Sequence, residues 1–445
     1  MTDTINLLQD IIKKAKAKGA DGADAVHADG TSLSLTYRLG EVEQLERSEG
    51  GEIGLRVLVG KRQAIVSSSD MSAQSIDEMV ERAVAMAKVV PEDEFAGLAE
   101  PEQLITGTVP ELDMFDPIEP GAKEMEEMAR AVEESGLAVK GVTNSEGASV
   151  GFSKTRIAVA ASNGLAHSYA RSGFNVSASL LAGSGNEMER DWDYSGAVWL
   201  EDLRDPVDVG KTAGENAVKR LGSKKVSSGV MDVVFDARIA RSLIGHFSSA
   251  INGQSIARGT SFLKDAMGKN IFSDNINIVD DPLRKRGLRS APFDDEGLAT
   301  KKMNIIENGV LQSWFLDLRS ARQLGLHSNA HASRGVSSPP HPSSSNLYLA
   351  PGDKTPEQLI SEIKQGILIT ELIGMGVNQV TGDYSRGASG FWIENGEIQF
   401  PVSELTVAGN LKDIFLGIEP ANDLVFRYGT DSPSVRVAAM TIAGT

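Results

Sequence analysis

The chain has 445 residues, no cysteine, and 61 aspartates and glutamates against 44 lysines and arginines, a formal net charge of −17. That charge argues against direct nucleic-acid binding, which needs a concentrated positive surface, and the absence of cysteine excludes disulfides, thiolate metal ligands and a cysteine nucleophile. The length exceeds one core of usual size and predicts two domains, or three.

The elements follow in chain order. Asp3 or Thr4 caps a first helix that Gly19 stops, and its charged residues at 10, 13 and 14 are unlike a signal peptide. No N-terminal apolar stretch approaches the ~20 residues that span a bilayer, so a cytoplasmic protein without membrane contact is expected. Four short strands are predicted at 24–27, 32–38, 42–48 and 52–59, and a fifth at 61–67. Ile76, Met79, Val80, Ala83, Val84 and Ala87 then make the apolar stripe of a helix that ends before Pro91. Residues 91–120 hold five prolines and read as an irregular surface connection. A helix over 122–135 turns Met125, Met128, Ala129 and Val132 inward and stops at Gly136. Strands follow over 142–181, with Asn163-Gly164 as a hairpin turn. Gly183-Ser184-Gly185-Asn186 lacks the spacing and lysine of a phosphate cradle and reads as a turn.

Asp205-Pro206 opens a helix that Gly222 closes, and the small polar run 223–229 is the predicted domain boundary. The basic clusters 219–225 and 284–289 read as solvated faces or linkers. Residues 230–235 form a buried-type strand, and Asp236 caps a helix carrying Ile239, Leu243, Phe247 and Ala250. Strands are expected again from about residue 299. A hairpin over 304–315 turns at Asn308-Gly309, a helix over 316–324 ends at Gly325, and 337–345 is a proline and serine loop. Thr355 with Gln358 forms a capping box for a helix expected to end at Gly366.

Residues 380–411 hold the densest local signal. Phe391-Trp392-Ile393 and Ile398-Gln399-Phe400 flank Asn395-Gly396, whose positive φ angles suit a tight hairpin turn. Before the hairpin, Gly382, Gly387 and Gly390 surround Asp383, Ser385, Arg386 and Ser389, which predicts a loop able to hold a peptide or a partner. The stretch I-I-E-N-G-V-L-Q near 305 resembles W-I-E-N-G-E-I-Q near 392; an internal repeat and two hairpins sharing one turn chemistry both explain it. Ser389 is no nucleophile elbow, because residue 391 is Phe and the chain enters a strand. Of six histidines, only His327 and His331 have the spacing of helical metal ligands. Gly325 ends the helix before them, so they and His341 read as solvated loop. His246 reads as a packed histidine.

The 380–411 stretch, with Asn346-Leu347-Tyr348-Leu349-Ala350-Pro351-Gly352 before it and the strand pattern Gly51 to Val57, resembles the TldD/PmbA family, and within it the PmbA branch, also called TldE. The resemblance implies a cytoplasmic metalloprotease system acting on peptides or poorly folded small proteins, in which a zinc-bearing TldD-type subunit pairs with a TldE-type subunit. It also links the family by name to DNA gyrase modulation. The TldD branch places its zinc on His-Glu-x-x-x-His with a later cysteine. Matching that helix to the one after Asp236 puts the two histidine positions at Ile244 and Ser249 and the glutamate position at Gly245. The expectation is a chain with no catalytic residue and no metal of its own, active only beside a zinc-bearing TldD-type partner. The alternatives are a peptide-binding adaptor homodimer and a gyrase modulator acting through protein contact.

These elements together predict an α+β protein with a mixed α/β N-terminal domain over 1–225 and a β-rich C-terminal domain of antiparallel hairpins over 226–445.

Overall fold

The computed structural model describes residues 2–444. It is an α+β fold built on one long antiparallel sheet and a second, strongly curved sheet. Helix α1 (Thr2–Ala17) leads into β1 (Gly22–Arg38), β2 (Glu41–Val59), β3 (Arg62–Ser68) and α2 (Ala73–Val89). After the irregular 91–120 connection come α3 (Ala122–Leu137), β4 (Val142–Ala161), β5 (Ala166–Ala182), β6 (Glu189–Ala197) and α4 (Pro206–Lys219). The sheet order is β3-β2-β1-β4-β5-β6.

The four short strands expected over 24–59 are two continuous ones. Gly30 pairs with Gly50 and Asp29 with Gly51, so the glycines that read as interruptions lie opposite one another in a single ladder. On one face, Ala23, Ala25, Ile53 and Leu55 pack under α1 and α2, while Leu33, Leu35, Val150 and Val176 pack under α3 and α4. Residues of equal parity along β1 serve both clusters, so the two helix pairs cover opposite ends of the same face. Gly136 does not stop α3. It lies inside the helix, where Gly210 and Gly214 of α4 bring the two backbones together; a Cβ on Gly210 would sit 1.9 Å from the Val132 carbonyl oxygen.

The C-terminal half starts with β7 (Gly229–Phe235), α5 (Ala237–Ala250) and α6 (Gly253–Ala257). Next come β8 (Ile278–Asp280), β9 (Met303–Glu307), β10 (Val310–Leu311), α7 (Leu318–Leu324), β11 (Ala332–Ser333), β12 (His341–Pro342), β13 (Leu347–Leu349) and α8 (Pro356–Ser361). The chain closes with β14 (Gln365–Ile373), β15 (Asp383–Glu394), β16 (Glu397–Asn410), α9 (Leu411–Leu416), β17 (Ile418–Pro420), β18 (Thr430–Asp431) and β19 (Val435–Ala443). The curved sheet runs β16-β15-β14-β7-β19-β17, and β16 pairs again with β19 at Thr406–Ala408, closing the sheet on itself. Its β7 and β14 are parallel neighbours although more than a hundred residues separate them. Helix α5 packs on one surface of this sheet through Leu243, Ile244 and Phe247, and α8 on the other through Ile360. Gly366 belongs to β14; α8 ends earlier, at Ser361. The sheet β10-β9-β8-β13-β18 completes this half. No helix among the described residues is long and apolar enough to cross a membrane.

The face of the long sheet that carries no helices docks on the C-terminal half. Gly54 makes this close: a Cβ there would sit 1.7 Å from the Val336 carbonyl oxygen, in the loop between β11 and β12. Beside it Asp24 is buried between Arg56, whose Nε donates at 2.7 Å, and Arg334 of that same loop. The loop between β11 and β12, which leads into the proline and serine run, is therefore a clamp across the two halves.

Candidate functional site

Asp236 starts α5 by accepting the Arg238 N–H at 2.9 Å, and the helix buries one stripe in the C-terminal core. Ile244 lies in that stripe, fully buried. Gly245 faces open space, with nothing within 4 Å of an added Cβ, and the Ser249 hydroxyl donates to the Gly245 carbonyl at 3.0 Å. An aliphatic chain, a missing side chain and a serine bonded to its own helix do not fit a zinc ion, which takes imidazole, carboxylate or thiolate ligands. His246 sits one step further round, edge-on to buried Tyr384 at 6.0 Å between centroids, and its Nε2 has no partner. Burial, aided by the nearby Arg386 guanidinium, pushes the imidazole down to about 4.

The 380–411 stretch differs from its expected form in one respect. The Asn395-Gly396 hairpin is present, with φ of 51° and 82°, but the glycine-rich segment before it is strand β15, because each residue finds a ladder partner on β14 or β16. Asp383 accepts from Thr381 Oγ1 at 2.6 Å and Asn410 Nδ2 at 3.1 Å. Ser385 is exposed, and Arg386 reaches the Ile373 carbonyl at 3.4 Å. These three flank a loop that exposes Ile373, Met375 and Val380; Met375 is 99% exposed. Ser389 is separated from them and buried, accepting from Arg220 Nη2 at 3.0 Å and donating to Glu371 at 2.9 Å.

Ser389 thereby enters a network that the sequence did not disclose. Arg220, at the end of α4, reaches Glu371 of β14 at 2.6 Å, Glu189 of β6 at 3.3 Å and Asp191 at 3.7 Å. Arg238 of α5 donates to Asp191 and to the Trp192 carbonyl, both at 2.9 Å. Burial opposes the charge on Glu371, and Arg220 overrides it, holding the carboxyl below its usual range. The basic run at 219–225 and the acidic run at 187–193 thus meet, correcting the reading of the former as a solvated face. The other basic run is likewise engaged: Arg284 stacks on Phe426 at 3.3 Å, and Arg286 pairs with Asp113 at 2.6 Å. The signal available in sequence was complementarity between charge runs, but it carries no distance information.

Above the network lies a cleft with two lobes that share Asn216, Asp236 and Arg238. The larger, of about 460 Å³, has an apolar wall from Leu368, Phe391, Ile398, Phe400 and Pro401, so the hairpin read from sequence forms its side. The smaller, of about 290 Å³, brings Asp193, Arg204 and Tyr428 together. The histidines divide: His331 is buried, with Nε2 at 3.2 Å from Asp280, contrary to a solvated loop, while His341 is exposed.

Comparison with known proteins places this geometry. Residues 23–87, 115–221 and 228–444 match domain 1, the central domain and the C-terminal domain of the PmbA/TldA metallopeptidases. The metalloprotease PmbA of Escherichia coli O157:H7 is 38% identical over 96% of this chain and 93% of its own length. The chain belongs to the PmbA/TldD family, in its PmbA branch. A crystal structure from Bacteroides thetaiotaomicron, described as a candidate modulator of DNA gyrase, superposes with a TM-score of 0.93 at 26% identity over the whole of both chains. TldE from Thermococcus kodakarensis shares the fold, with a TM-score of 0.86 at 21% identity over 98% of this chain and all of its own.

Proposed function

We infer that this PmbA-branch chain is the TldE-type subunit of a cytoplasmic TldD/TldE-like metalloprotease system acting on peptides or poorly folded small proteins. In this reading it carries no catalytic zinc and works with a zinc-bearing TldD-type partner, and its two domains divide near residue 225. The observation that carries the reading is helix α5, where the positions matching the zinc motif hold a core isoleucine, a glycine and a serine. Partner contact is assigned to the exposed end of β15, where Asp383, Ser385 and Arg386 adjoin exposed Ile373, Met375 and Val380. An apolar tip rimmed by polar groups is how association surfaces are built.

Co-purification with a TldD-type subunit, followed by peptide cleavage and metal analysis of each chain, tests this. Cleavage and zinc are expected only with the partner present. Full activity of this chain alone after chelation would sink the proposal. Met375→Asp and Arg386→Ala are expected to weaken assembly while leaving the partner's metal content unchanged; wild-type assembly of both would remove the contact assignment. A second reading, a peptide-gripping adaptor homodimer, draws on the apolar-walled cleft. It requires a stable homodimer that binds peptide with no TldD-type chain present.

A further inference from the structure

A second cavity, of about 320 Å³, lies between the helix-free face of the long sheet and the C-terminal half. Tyr169 and Arg171 of β5 form one wall, and residues around Asp295 and Ser343 the other. Most of its charged groups are already satisfied. Asp280 accepts from the Ser345 N–H at 2.9 Å, the Ser345 hydroxyl at 2.6 Å and faces His331 at 3.2 Å. Asp294 takes three backbone N–H groups, from Glu296, Leu298 and Ala332.

Three groups are left over. Arg171 donates to the Leu288 carbonyl at 2.6 Å and has no carboxylate within ion-pair distance among the described residues. Arg289, exposed at the cavity mouth, reaches only the Thr430 hydroxyl, at 3.4 Å, and likewise forms no ion pair. Asp295 takes the Arg334 N–H on one oxygen at 2.8 Å, and its other oxygen has no protein donor among the described residues. Burial works against the Asp295 charge; the Arg334 N–H and guanidinium offset this first and the field of Arg171 after them, so Arg171 and Asp295 lie within electrostatic reach without pairing. Keeping the half-buried Arg171 and Asp295 apart forgoes their attraction, which is intelligible where a ligand supplies the missing partners. Tyr169 and Phe293, edge to face at 5.6 Å, add an apolar surface beside them.

We propose that this cavity binds a small zwitterion, a free α-amino acid or a dipeptide, whose carboxylate is held by Arg171 and Arg289 and whose ammonium group is held by Asp295. The volume suits a ligand of that size, and the charges present both signs, which an inorganic anion would leave half unused. The inference stands apart from the partner assignment made above, since it needs only this chain.

Calorimetric titration of the full chain with alanine, leucine and dialanine, beside N-acetylalanine, alaninamide and inorganic phosphate, tests it. Binding is expected for at least one of the three zwitterions and should fall about tenfold or more on removing either charge from it. Asp295→Asn should lose the preference for the free ammonium group, and Arg289→Gln should weaken every carboxylate ligand, with melting temperatures confirming that both variants fold. Silence from all three zwitterions at millimolar concentration overturns the proposal, as does phosphate binding without them. Zwitterion binding unchanged in both variants overturns it too.

Discussion

The two seams that join the long sheet to the C-terminal half are built on opposite principles. At the sheet edge, Arg220 and Arg238 are closed on Glu371, Glu189 and Asp191, and every charge has a partner. On the helix-free face, the Asp24–Arg56–Arg334 triad is closed, but a few residues away Arg171, Arg289 and Asp295 remain open. Closed buried pairs hold position, because separating them exposes an uncompensated charge. Open ones sit where the fold has left room for something else.

The largest break in that comparison comes at the closed triad. Asp24→Ala leaves two guanidinium groups buried without a carboxylate and is expected to cost about 3–5 kcal/mol, read from chemical denaturation. A loss under 1 kcal/mol, the range of exposed pairs, would show that the triad does not hold the seam. Gly54→Ala comes next. Its Cβ has no room against the Val336 carbonyl, so the clamp loop must shift at about 1–3 kcal/mol; an unchanged melting temperature would mean that the loop yields freely.

A smaller effect, dependent on pH, sharpens the contrast. Asp294 is pushed up to about 7 by burial, and Glu296 is raised well above its ordinary range by burial and then by Asp294 and Asp317. Both carboxyls hold their protons more tightly folded than unfolded. Their stabilising contribution is full below the unfolded values, about 4, and is lost as pH rises through the folded ones. Wild-type melting temperature is therefore expected to fall as pH rises above about 4, through about 7 for Asp294 and through the raised value of Glu296. Glu296→Gln, which keeps an acceptor for the Leu318 N–H now bonded at 2.8 Å, should flatten that slope. An identical slope in the variant would remove Glu296 from the account.

Legibility in the sequence followed the range of the interactions. Helices α2, α4 and α5 were readable from their stripes and caps, as was the Asn395-Gly396 turn, because a cap or a turn involves residues within four of one another. Strands β1 and β2 were cut into four because glycine breaks a local pattern, while a ladder partner some twenty residues away restores it. Strand β8 went unread: it has three residues and is defined by its neighbours.

At the candidate site, the sequence by itself determined what the side chains can do. Ile244, Gly245 and Ser249 offer zinc no suitable ligand in any fold, and a chain without cysteine has no thiolate to give. The tertiary structure alone decided which groups meet. It put Ser389 in the Arg220 network and Asp383 at an exposed tip, although only six residues separate them, because β15 runs from the surface into the seam. It also left Arg171 and Asp295 facing one cavity from positions more than a hundred residues apart, a juxtaposition set by sheet packing and by nothing in the local pattern.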